Sequence, residues 1–358
     1  MSSQNDQSES NSHILVLGVG GTIAGLAPDP AADPAKYQAG QVGIGALLEK
    51  IQQAVPGGLK LISQQLANID SRNMSEDLLT QIGLSVKESL LNPAVKGVVI
   101  THGTDTLEEA GFFLDACCGK LAQTVGKRVV LTGAMLPANA PQADGPQNLL
   151  DALKWASTAP ENCPGGIFAV FASKVCLARD LAKRHASALN APLIDSPTSP
   201  MSLINPSWLS RVKAVQSAAG GDLPIPSGDQ WPWVEILISH AGARAQTVER
   251  LLGTQIEGVV LAGTGLGGFH QTWIDPLKKA LAAGIALVRV SRTGAGVVRA
   301  DIPDNDDPGC MAAGSLSAPK ARIALQLAIY AANQDKSSPK SLTWQDFFAR
   351  IAVLPELR

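Results

Sequence analysis

The chain has 358 residues, a length that fits two domains, and its 45% of apolar residues can fill a sizeable core. Its 29 Lys and Arg side chains nearly balance its 31 Asp and Glu, so the net charge is −2. This balance argues against a nucleic acid or an anionic membrane surface as a partner, and no apolar run is long enough to span a membrane.

The first recognisable strand and turn follow a polar N-terminal segment. Residues 1–12 lack the basic start and apolar core of a signal peptide, so we expect a disordered tail. Residues 14–17 are a continuous apolar run, typical of a strand buried on both faces. The next turn surrounds one hydroxyl residue, Thr22, with four glycines. Such a turn predicts the carboxyl edge of a parallel sheet, where α/β folds bind ligands.

The residues of this turn leave three interpretations open. A glycine-rich turn can be purely structural, with nothing bound. A dinucleotide or phosphate loop fits poorly, because the spacing is not G-x-G-x-x-G and no lysine follows as in a P-loop. In the third interpretation Thr22 is a nucleophile, which requires partners elsewhere in the chain.

A loop follows the turn and ends at Tyr37, one of only two tyrosines. Residues 27–35 are rich in Pro, Ala and Asp, a composition that predicts a flexible loop. A mobile loop beside a candidate nucleophile can serve as a lid. The local sequence alone favours a surface tyrosine that anchors the loop.

The next strand ends in a second candidate loop. Residues 43–55 predict a helix, and residues 59–69 predict a strand. Ser71 and Arg72 follow that strand directly, so they belong to a strand-to-helix loop on the same carboxyl edge. Ser75 predicts the cap of the helix that comes next.

A third buried strand, residues 97–100, leads into a loop dense in hydroxyl side chains. Thr106 and Glu109 have the spacing of a capping box, which predicts a helix start. Thr104 and Asp105 therefore lie just before a helix N-terminus. The partial positive charge there favours a bound carboxylate or a developing oxyanion.

The remaining pattern alternates strands and helices in both halves of the chain. The predicted strands are 128–132, 167–171, 234–238, 258–262 and 286–290, and the predicted helices are 148–156, 246–252, 273–283 and 319–332. Residues 178–185 form a charged segment in a short loop or ribbon, where Lys183 on its own favours a solvated surface lysine.

This alternation predicts an α/β protein with two domains. We expect a large N-terminal domain with a parallel or mixed sheet over residues 13–205 and a smaller C-terminal α/β domain over residues 233–358. Residues 206–232 are rich in Pro, Gly and Ser and predict the linker.

Cysteines and metal-binding residues give no sign of a disulfide framework or a metal site. The five cysteines are an odd number without a C-x-x-C pair, which favours reduced thiols in a cytoplasmic protein. The histidines lack metal-binding spacing. The aspartates at 301, 304, 306 and 307 do not fit a calcium loop, and we expect a surface turn there.

Two stretches are distinctive enough to resemble a known family. Gly-Gly-Thr22-Ile-Ala-Gly and His102-Gly-Thr-Asp-Thr-Leu-Glu-Glu109 are similar, in this order, to the two signatures of the bacterial-type L-asparaginase family, also called the asparaginase/glutaminase family. Shorter matches are Gly133-Ala-Met135, Ala143-Asp-Gly-Pro146 and Arg179-Asp-x-x-Lys183. The resemblance extends from about Ile14 to the C-terminal helix.

The resemblance implies a set of catalytic residues. Thr22 would attack the side-chain amide of L-asparagine, giving an acyl-enzyme and ammonia. Tyr37 would lie on a lid and assist proton removal from Thr22. Thr104, Asp105 and Lys183 would form a second catalytic cluster, in which Lys183 promotes proton transfer through Thr104. No metal and no organic cofactor are implied.

The resemblance also implies how substrate is bound and how subunits assemble. Ser71, Arg72, Thr104 and Asp105 would bind the α-carboxylate and α-ammonium of asparagine. Arg72 stands where the family commonly has Gln, and it should favour the carboxylate unless it turns outward to a neighbouring carboxylate. The implied assembly is a homo-oligomer, a dimer or a tetramer, with each site at a dimer interface.

Three further positions depart from the family pattern. Leu136 stands where Arg is common, the turn at 263–268 lacks both of the family's asparagines, and residues 297–303 contain no Glu. These departures concern substrate recognition and leave the implied catalytic residues in place.

Taken as a whole, the sequence favours a cytoplasmic asparaginase. The alternatives are a glutaminase-asparaginase of broader specificity, an ammonia-releasing subunit for tRNA-bound glutamate, which would require an extra N-terminal domain, and a non-catalytic amino-acid binding protein.

Overall fold

The computed structural model describes residues 12–31, 33, 35–55, 59–158, 164–188, 201–202, 221–300, 307–336 and 341–352. The chain divides into two compact units, Met1–Asp222 and Leu223–Arg358. The expected tail and most of the expected linker lie outside the described residues.

In the residues that the structure describes, the large unit has one sheet and four helices. Its strands are β1 (His13–Gly20), β2 (Leu61–Ile69), β3 (Val95–Thr101), β4 (Arg128–Thr132), β5 (Gly166–Phe171), β6 (Lys174–Leu177) and β7 (Met201–Ser202). Its helices are α1 (Ile44–Ile51), α2 (Glu76–Leu91), α3 (Leu107–Thr124) and α4 (Gly145–Ser157). Short 3-10 turns at Thr22–Ala24, Ser71–Asn73 and Ala178–Asp180 follow β1, β2 and β6.

The strand order places three loops side by side. The order is β2-β1-β3-β4-β5-β6-β7, with β1 to β5 parallel and β6 and β7 antiparallel to their neighbours. In the centre, Gly18 pairs with Gln65 on β2 and with Thr101 on β3. The loops after β1, β2 and β3 therefore leave the same edge of the sheet next to one another.

The central strands are buried because their residues are apolar on both faces. One face is covered by α1 and α4, where Val16, Val99 and Val130 pack with Leu47 and Leu149. Each such buried side chain contributes about 1.5–3 kcal/mol to folding. This core holds the strand ends, and with them the three loops, in fixed positions.

The small unit is also α/β. Its strands are β8 (Val234–Ile238), β9 (Gly258–Gly263), β10 (Ala286–Ser291) and β11 (Met311–Ala312), and its helices are α5 (Ala245–Leu252), α6 (Ile274–Ala282), α7 (Ala318–Asp335) and α8 (Trp344–Ala352). All four strands are parallel, in the order β11-β10-β9-β8. The expected fold class, a large mixed-sheet domain and a smaller α/β domain, is confirmed.

The hairpin between β5 and β6 was not predicted, because its turn lacks the glycine or asparagine that a tight hairpin turn usually has. Ala172 (φ 48°) and Ser173 (φ 56°) both take left-handed conformations, which normally favour glycine or asparagine. Asn148 accepts a hydrogen bond from the Ala172 N–H at 2.9 Å, and Asp151 accepts one from the Ser173 hydroxyl at 2.8 Å. Contacts from α4 thus offset the strain of the turn.

The expected surface turn around the acidic residues is wrong at Asp307. Its carboxylate lies 2.8 Å from Nε of Arg289, and the two side chains are 10% and 3% exposed. It also accepts hydrogen bonds from the N–H groups of Gly309 and Cys310. Asp307 is therefore a buried structural anion; residues 301–306 lie outside the described residues.

Candidate active site

The three loops that follow β1, β2 and β3 touch at Gly21, Gly103 and Ser71. A Cβ atom on Gly21 would lie 2.2 Å from Cα of Gly103, and one on Gly103 would lie 2.5 Å from Oγ of Ser71. No side chain fits at either position, so glycine is required for the approach itself. The contact places the loops that carry Thr22 and Thr104 next to each other at the sheet edge.

Thr22 and Tyr37 form the first pair of functional groups. Their hydroxyls share a hydrogen bond of 2.7 Å, in which either oxygen can donate. Thr22 is 7% exposed, and Tyr37 is half-buried. The Tyr37 ring packs on the backbone at Gly25, where a Cβ would lie 2.7 Å from Cδ2 of the ring. The structure thus brings the tyrosine, for which the local sequence favoured a surface role, onto the candidate nucleophile.

Lys183, Thr104 and Asp105 form the second group. The Lys183 Nζ donates to Thr104 Oγ1 at 3.0 Å and to Asp105 Oδ1 at 2.5 Å. Thr104 is buried, whereas the Asp105 side chain is 53% exposed and that of Lys183 is 20% exposed. The surface role that the local sequence favoured for Lys183 is wrong: this lysine points at a buried hydroxyl.

A buried ion pair fixes the segment that carries Lys183. Arg179 lies 3.5 Å from the Asp115 carboxylate of α3, and both side chains are at most 10% exposed. Burial raises the pKa of Asp115, and the charge of Arg179 opposes that rise. The backbone of Ala178 also approaches α3 closely at Gly111, where a Cβ would lie 3.0 Å from the Ala178 oxygen. The helix that starts after Asp105 therefore also holds the segment leading to Lys183.

Ser71 joins the second loop to the third. Its hydroxyl accepts a hydrogen bond from the Asp105 N–H at 3.2 Å, and its carbonyl accepts one from the Thr106 hydroxyl at 2.8 Å. The predicted capping box is wrong in this respect, because Thr106 lies at the helix cap without a side-chain bond to the helix. Its hydroxyl binds the neighbouring loop instead.

Arg72 points away from the buried part of this junction. Its guanidinium lies 2.8 Å from the Asp70 carboxylate, and its side chain is 74% exposed. Asp70 also accepts a hydrogen bond from the Arg72 N–H at 3.2 Å. This is the arrangement that the sequence left open as the alternative to a substrate contact.

His102 is a fully buried side chain of the third loop. Its Nδ1 lies 2.7 Å from the Gly103 oxygen, and Nε2 has no hydrogen-bond partner among the described residues. Burial lowers the pKa of His102 to about 4. The ring is therefore neutral at physiological pH.

Asn139 is the residue near the site that the sequence reasoning missed. Its side-chain amide is hydrogen-bonded to both the N–H and the C=O of Ala27, between Thr22 and Tyr37. The only sequence signal was one amide residue between two prolines in the loop after β4. Its partner is 112 residues away, beyond the reach of any local pattern.

Two features are absent from the described part of the chain. None of its helices is long and apolar enough to cross a membrane. It holds no group of three or more His, Cys, Asp or Glu side chains placed to bind a metal ion.

Two family models match most of the chain. The model described as "Asparaginase, N-terminal" matches residues 13–203, and "Glutaminase/Asparaginase C-terminal domain" matches residues 233–340. The first match contains Thr22, Tyr37, Ser71, Arg72, Thr104, Asp105 and Lys183.

Individual proteins are similar over nearly the whole length. The chain is 31% identical over 321 residues to "Probable L-asparaginase periplasmic" of Haemophilus influenzae, covering 88% of each chain. It is 29% identical over 338 residues to the "Glutaminase-asparaginase" of Pseudomonas fluorescens, covering 93% of this chain and 90% of the relative. A solved structure described as a probable cytoplasmic L-asparaginase from Campylobacter jejuni superposes with a TM-score of 0.75 at 29% identity, covering 95% of this chain and 99% of that one.

Proposed function

Since the chain belongs to the asparaginase family, whose models match residues 13–203 and 233–340, we propose that it hydrolyses L-asparagine with Thr22 as the nucleophile. Thr22 Oγ1 attacks the side-chain amide carbon of asparagine and gives a tetrahedral intermediate. The carbon–nitrogen bond then breaks, ammonia leaves, and an ester of Thr22 remains. Water hydrolyses this ester to aspartate and restores the hydroxyl.

The hydrogen bond of 2.7 Å between Thr22 and Tyr37 is the observation that supports this assignment most directly. A threonine hydroxyl is a weak nucleophile and needs a neighbour that takes its proton during attack. Tyr37 Oη is within hydrogen-bond distance of that proton. In this proposal Tyr37 takes the Thr22 proton as the new carbon–oxygen bond forms and releases its own hydroxyl proton towards the departing amide nitrogen, which leaves as ammonia.

Thr104 and Lys183 form a second path for protons. Lys183 lies 3.0 Å from the Thr104 hydroxyl, so a proton can pass between the lysine nitrogen and any group that contacts Thr104. We assign this path to the water that attacks the ester. Asp105, at 2.5 Å from Lys183, orients the lysine nitrogen.

Substrate recognition needs one group for each charge of the amino-acid end. The half-exposed carboxylate of Asp105 suits the α-ammonium. The Ser71 hydroxyl and the N–H groups at the start of α3 suit the α-carboxylate. Arg72 remains a proposed contact for that carboxylate, and to make it the guanidinium must exchange Asp70 for substrate.

A broader glutaminase-asparaginase is the second candidate, because the similar protein of Pseudomonas fluorescens carries that name. Release of ammonia from L-asparagine, L-glutamine and D-asparagine, measured side by side, separates the two. We expect L-asparagine to be the best substrate, with unchanged rates after dialysis against EDTA. Equal rates for the first two substrates would favour the second candidate, and no ammonia from any of them would overturn both.

We also propose a homo-oligomer, a dimer or a tetramer, in the cytoplasm. A cytoplasmic location is supported by the description of the Campylobacter jejuni structure and by the free thiols of Cys117, Cys118, Cys176 and Cys310. The Haemophilus influenzae relative is named as periplasmic, so location varies among similar proteins. Cell fractionation and light scattering of the purified protein test the two statements.

A further inference from the structure

A side-chain amide joins two loops that are distant in sequence. Asn139 Oδ1 accepts a hydrogen bond from the Ala27 N–H at 2.9 Å, and Asn139 Nδ2 donates to the Ala27 oxygen at 2.7 Å. The neighbouring N–H of Ala138 donates to the Gly25 oxygen at 2.8 Å. Together these three bonds fix the backbone of residues 25–27 to residues 138–139.

The opposite edge of residues 25–27 holds the segment that carries Tyr37. Leu26 and Gln38 form an antiparallel bridge, in which each N–H donates to the other residue's oxygen at 2.9 Å. Tyr37 precedes Gln38 directly, and its ring rests on Gly25. A shift of residues 25–27 would therefore move the Tyr37 hydroxyl relative to Thr22.

The loop that carries Asn139 is itself anchored to the large unit. Asp144 accepts hydrogen bonds from the N–H groups of Met135 and Leu136 at 2.9 Å each. Asn148 of α4 donates to the Gly133 oxygen at 3.0 Å and to the Asp144 carboxylate at 3.1 Å. These bonds make the loop a fixed support, to which residues 25–27 are fastened.

We propose that Asn139 is a positioning residue, which sets the place of the Tyr37 hydroxyl at Thr22 by binding both backbone groups of Ala27. Its catalytic consequence rests on the role of Tyr37 in the proposed function. The amide side chain of Asn139 donates to the Ala27 oxygen through Nδ2 and accepts from the Ala27 N–H through Oδ1 at the same time. Aspartate has the same shape but lacks the donor, so it would lose one bond and place a carboxylate against a carbonyl.

The test compares Asn139→Ala and Asn139→Asp with a control in the segment after Tyr37, Gln41→Ala. The Gln41 amide donates to the Ala39 oxygen within its own turn, so its removal leaves the Ala27 bonds intact. Each hydrogen bond changes the equilibrium between the placed and the displaced Tyr37 about fivefold. We therefore expect both Asn139 variants to lower kcat about 5- to 10-fold. The control should stay within about twofold of the natural enzyme.

A second measurement reports on Tyr37 without using activity. The chain has only two tyrosines, Tyr37 and Tyr330, so the protein labelled with fluorotyrosine gives two ¹⁹F resonances, which Tyr37→Phe assigns. We expect the Tyr37 resonance to shift or broaden in both Asn139 variants and to stay in place in Gln41→Ala. A Tyr37 resonance that is unchanged by Asn139→Ala would overturn the proposal.

The final arm repeats Asn139→Ala in the Tyr37→Phe background. If Asn139 acts through the Tyr37 hydroxyl, its effect on kcat disappears there. An equal loss of kcat in both backgrounds would overturn the positioning role. A shifted resonance together with full activity of Tyr37→Phe would support the positioning and overturn the role of Tyr37 in the proposed function.

Discussion

Each unit has a glycine-rich turn with one threonine after a buried parallel strand, and the two turns differ in what surrounds them. After β1, Thr22 is 7% exposed, and its hydroxyl is bonded to Tyr37, fifteen positions away in the chain. After β9, Thr264 is exposed, and its hydroxyl donates to the Gly268 oxygen of its own turn at 3.2 Å. The tip of the second turn, Leu266, is 56% exposed.

The difference shows that the local motif does not make the site. The turn after β1 is pressed against the loop after β3, where a Cβ on Gly21 would lie 2.2 Å from Gly103. In the turn after β9, a Cβ on Gly265 would meet nothing within 4 Å. Thr22 becomes a candidate nucleophile because two other loops and Tyr37 converge on it.

The largest expected effect contrasts the two threonines. Thr22→Ala removes the proposed nucleophile and should lower kcat for asparagine about 1,000-fold or more, a barrier increase of about 4 kcal/mol. Thr264→Ala removes a hydroxyl that binds only its own turn and should change kcat less than about twofold. Steady-state ammonia release measures both. Near-normal activity of Thr22→Ala would show that Thr22 is no more a nucleophile than Thr264.

The second contrast replaces a glycine in each turn. Gly21 (φ 82°, ψ −168°) and Gly265 (φ 52°) both have a positive φ that strains alanine, by about 1–3 kcal/mol at Gly21 and about 1 kcal/mol at Gly265. Gly21→Ala must also push Gly103 away, which should bring its cost to about 3–4 kcal/mol in the free energy of unfolding. Urea unfolding compares the two variants. Equal losses would mean that the contact between the loops is not tight.

The features that could be predicted from the sequence are those set by residues close together in the chain. Most of the buried strands, most of the helices and the two signature stretches were visible in short windows, although β6 and α8 were not. The family resemblance is confirmed by the matching domains. Thr22 and Thr104 were placed on strand-end loops of one sheet edge, as the structure has them. Lys183 and Tyr37 were joined to these residues only by the resemblance, because their own segments look like surface loops.

The sequence reasoning failed where a side chain acts at long range. Thr106 has the spacing of a capping residue, yet its hydroxyl binds Ser71 of another loop. Asp307 looks like part of a solvated acidic run, yet it neutralises the buried Arg289. Asn139 is bound to Ala27, which is 112 positions earlier. In each case the partner comes close only after the strands have paired, so no local pattern predicts it.

The third contrast concerns a histidine with the same local contact in each unit. His102 follows β3 and is fully buried, whereas His240 follows β8 and is exposed; in both, Nδ1 contacts the next residue's oxygen. Because burial lowers the pKa of His102 to about 4, the unfolded chain binds its proton near pH 6.5 and the folded chain only near pH 4. The contribution of the neutral His102 ring to the free energy of unfolding is fully present above pH 6.5 and is lost as the pH falls to 4.

This loss should amount to about 3 kcal/mol in the free energy of unfolding. Carboxylates add their own acid dependence, so the quantity to measure is the difference between the natural protein and His102→Gln across this range. A difference that stays constant with pH would show that His102 is solvated, and that the loop after β3 is less closed than the loop contacts imply.

The smallest expected effect tests whether Arg72, on the loop after β2, contacts the substrate. Arg72→Gln is compared for asparagine and for succinamate, which keeps the carboxylate but lacks the amino group. Because Arg72 favours the carboxylate and opposes the ammonium, the natural enzyme should discriminate less against succinamate. The guanidinium is largely exposed and bound to Asp70, so we expect a change of only about 2- to 5-fold in the ratio of kcat/KM values. The same ratio in both proteins would place Arg72 outside the site.

Locating the acyl group tests directly whether Thr22 is the nucleophile. The enzyme is mixed with asparagine and quenched in acid within one turnover, and its peptides are mapped by mass spectrometry. If Thr22 is the nucleophile, an aspartyl ester appears on the peptide that contains Thr22, is absent from Thr22→Ala and is still present in Thr264→Ala. An ester on the peptide that contains Thr104, with none on Thr22, would contradict that assignment.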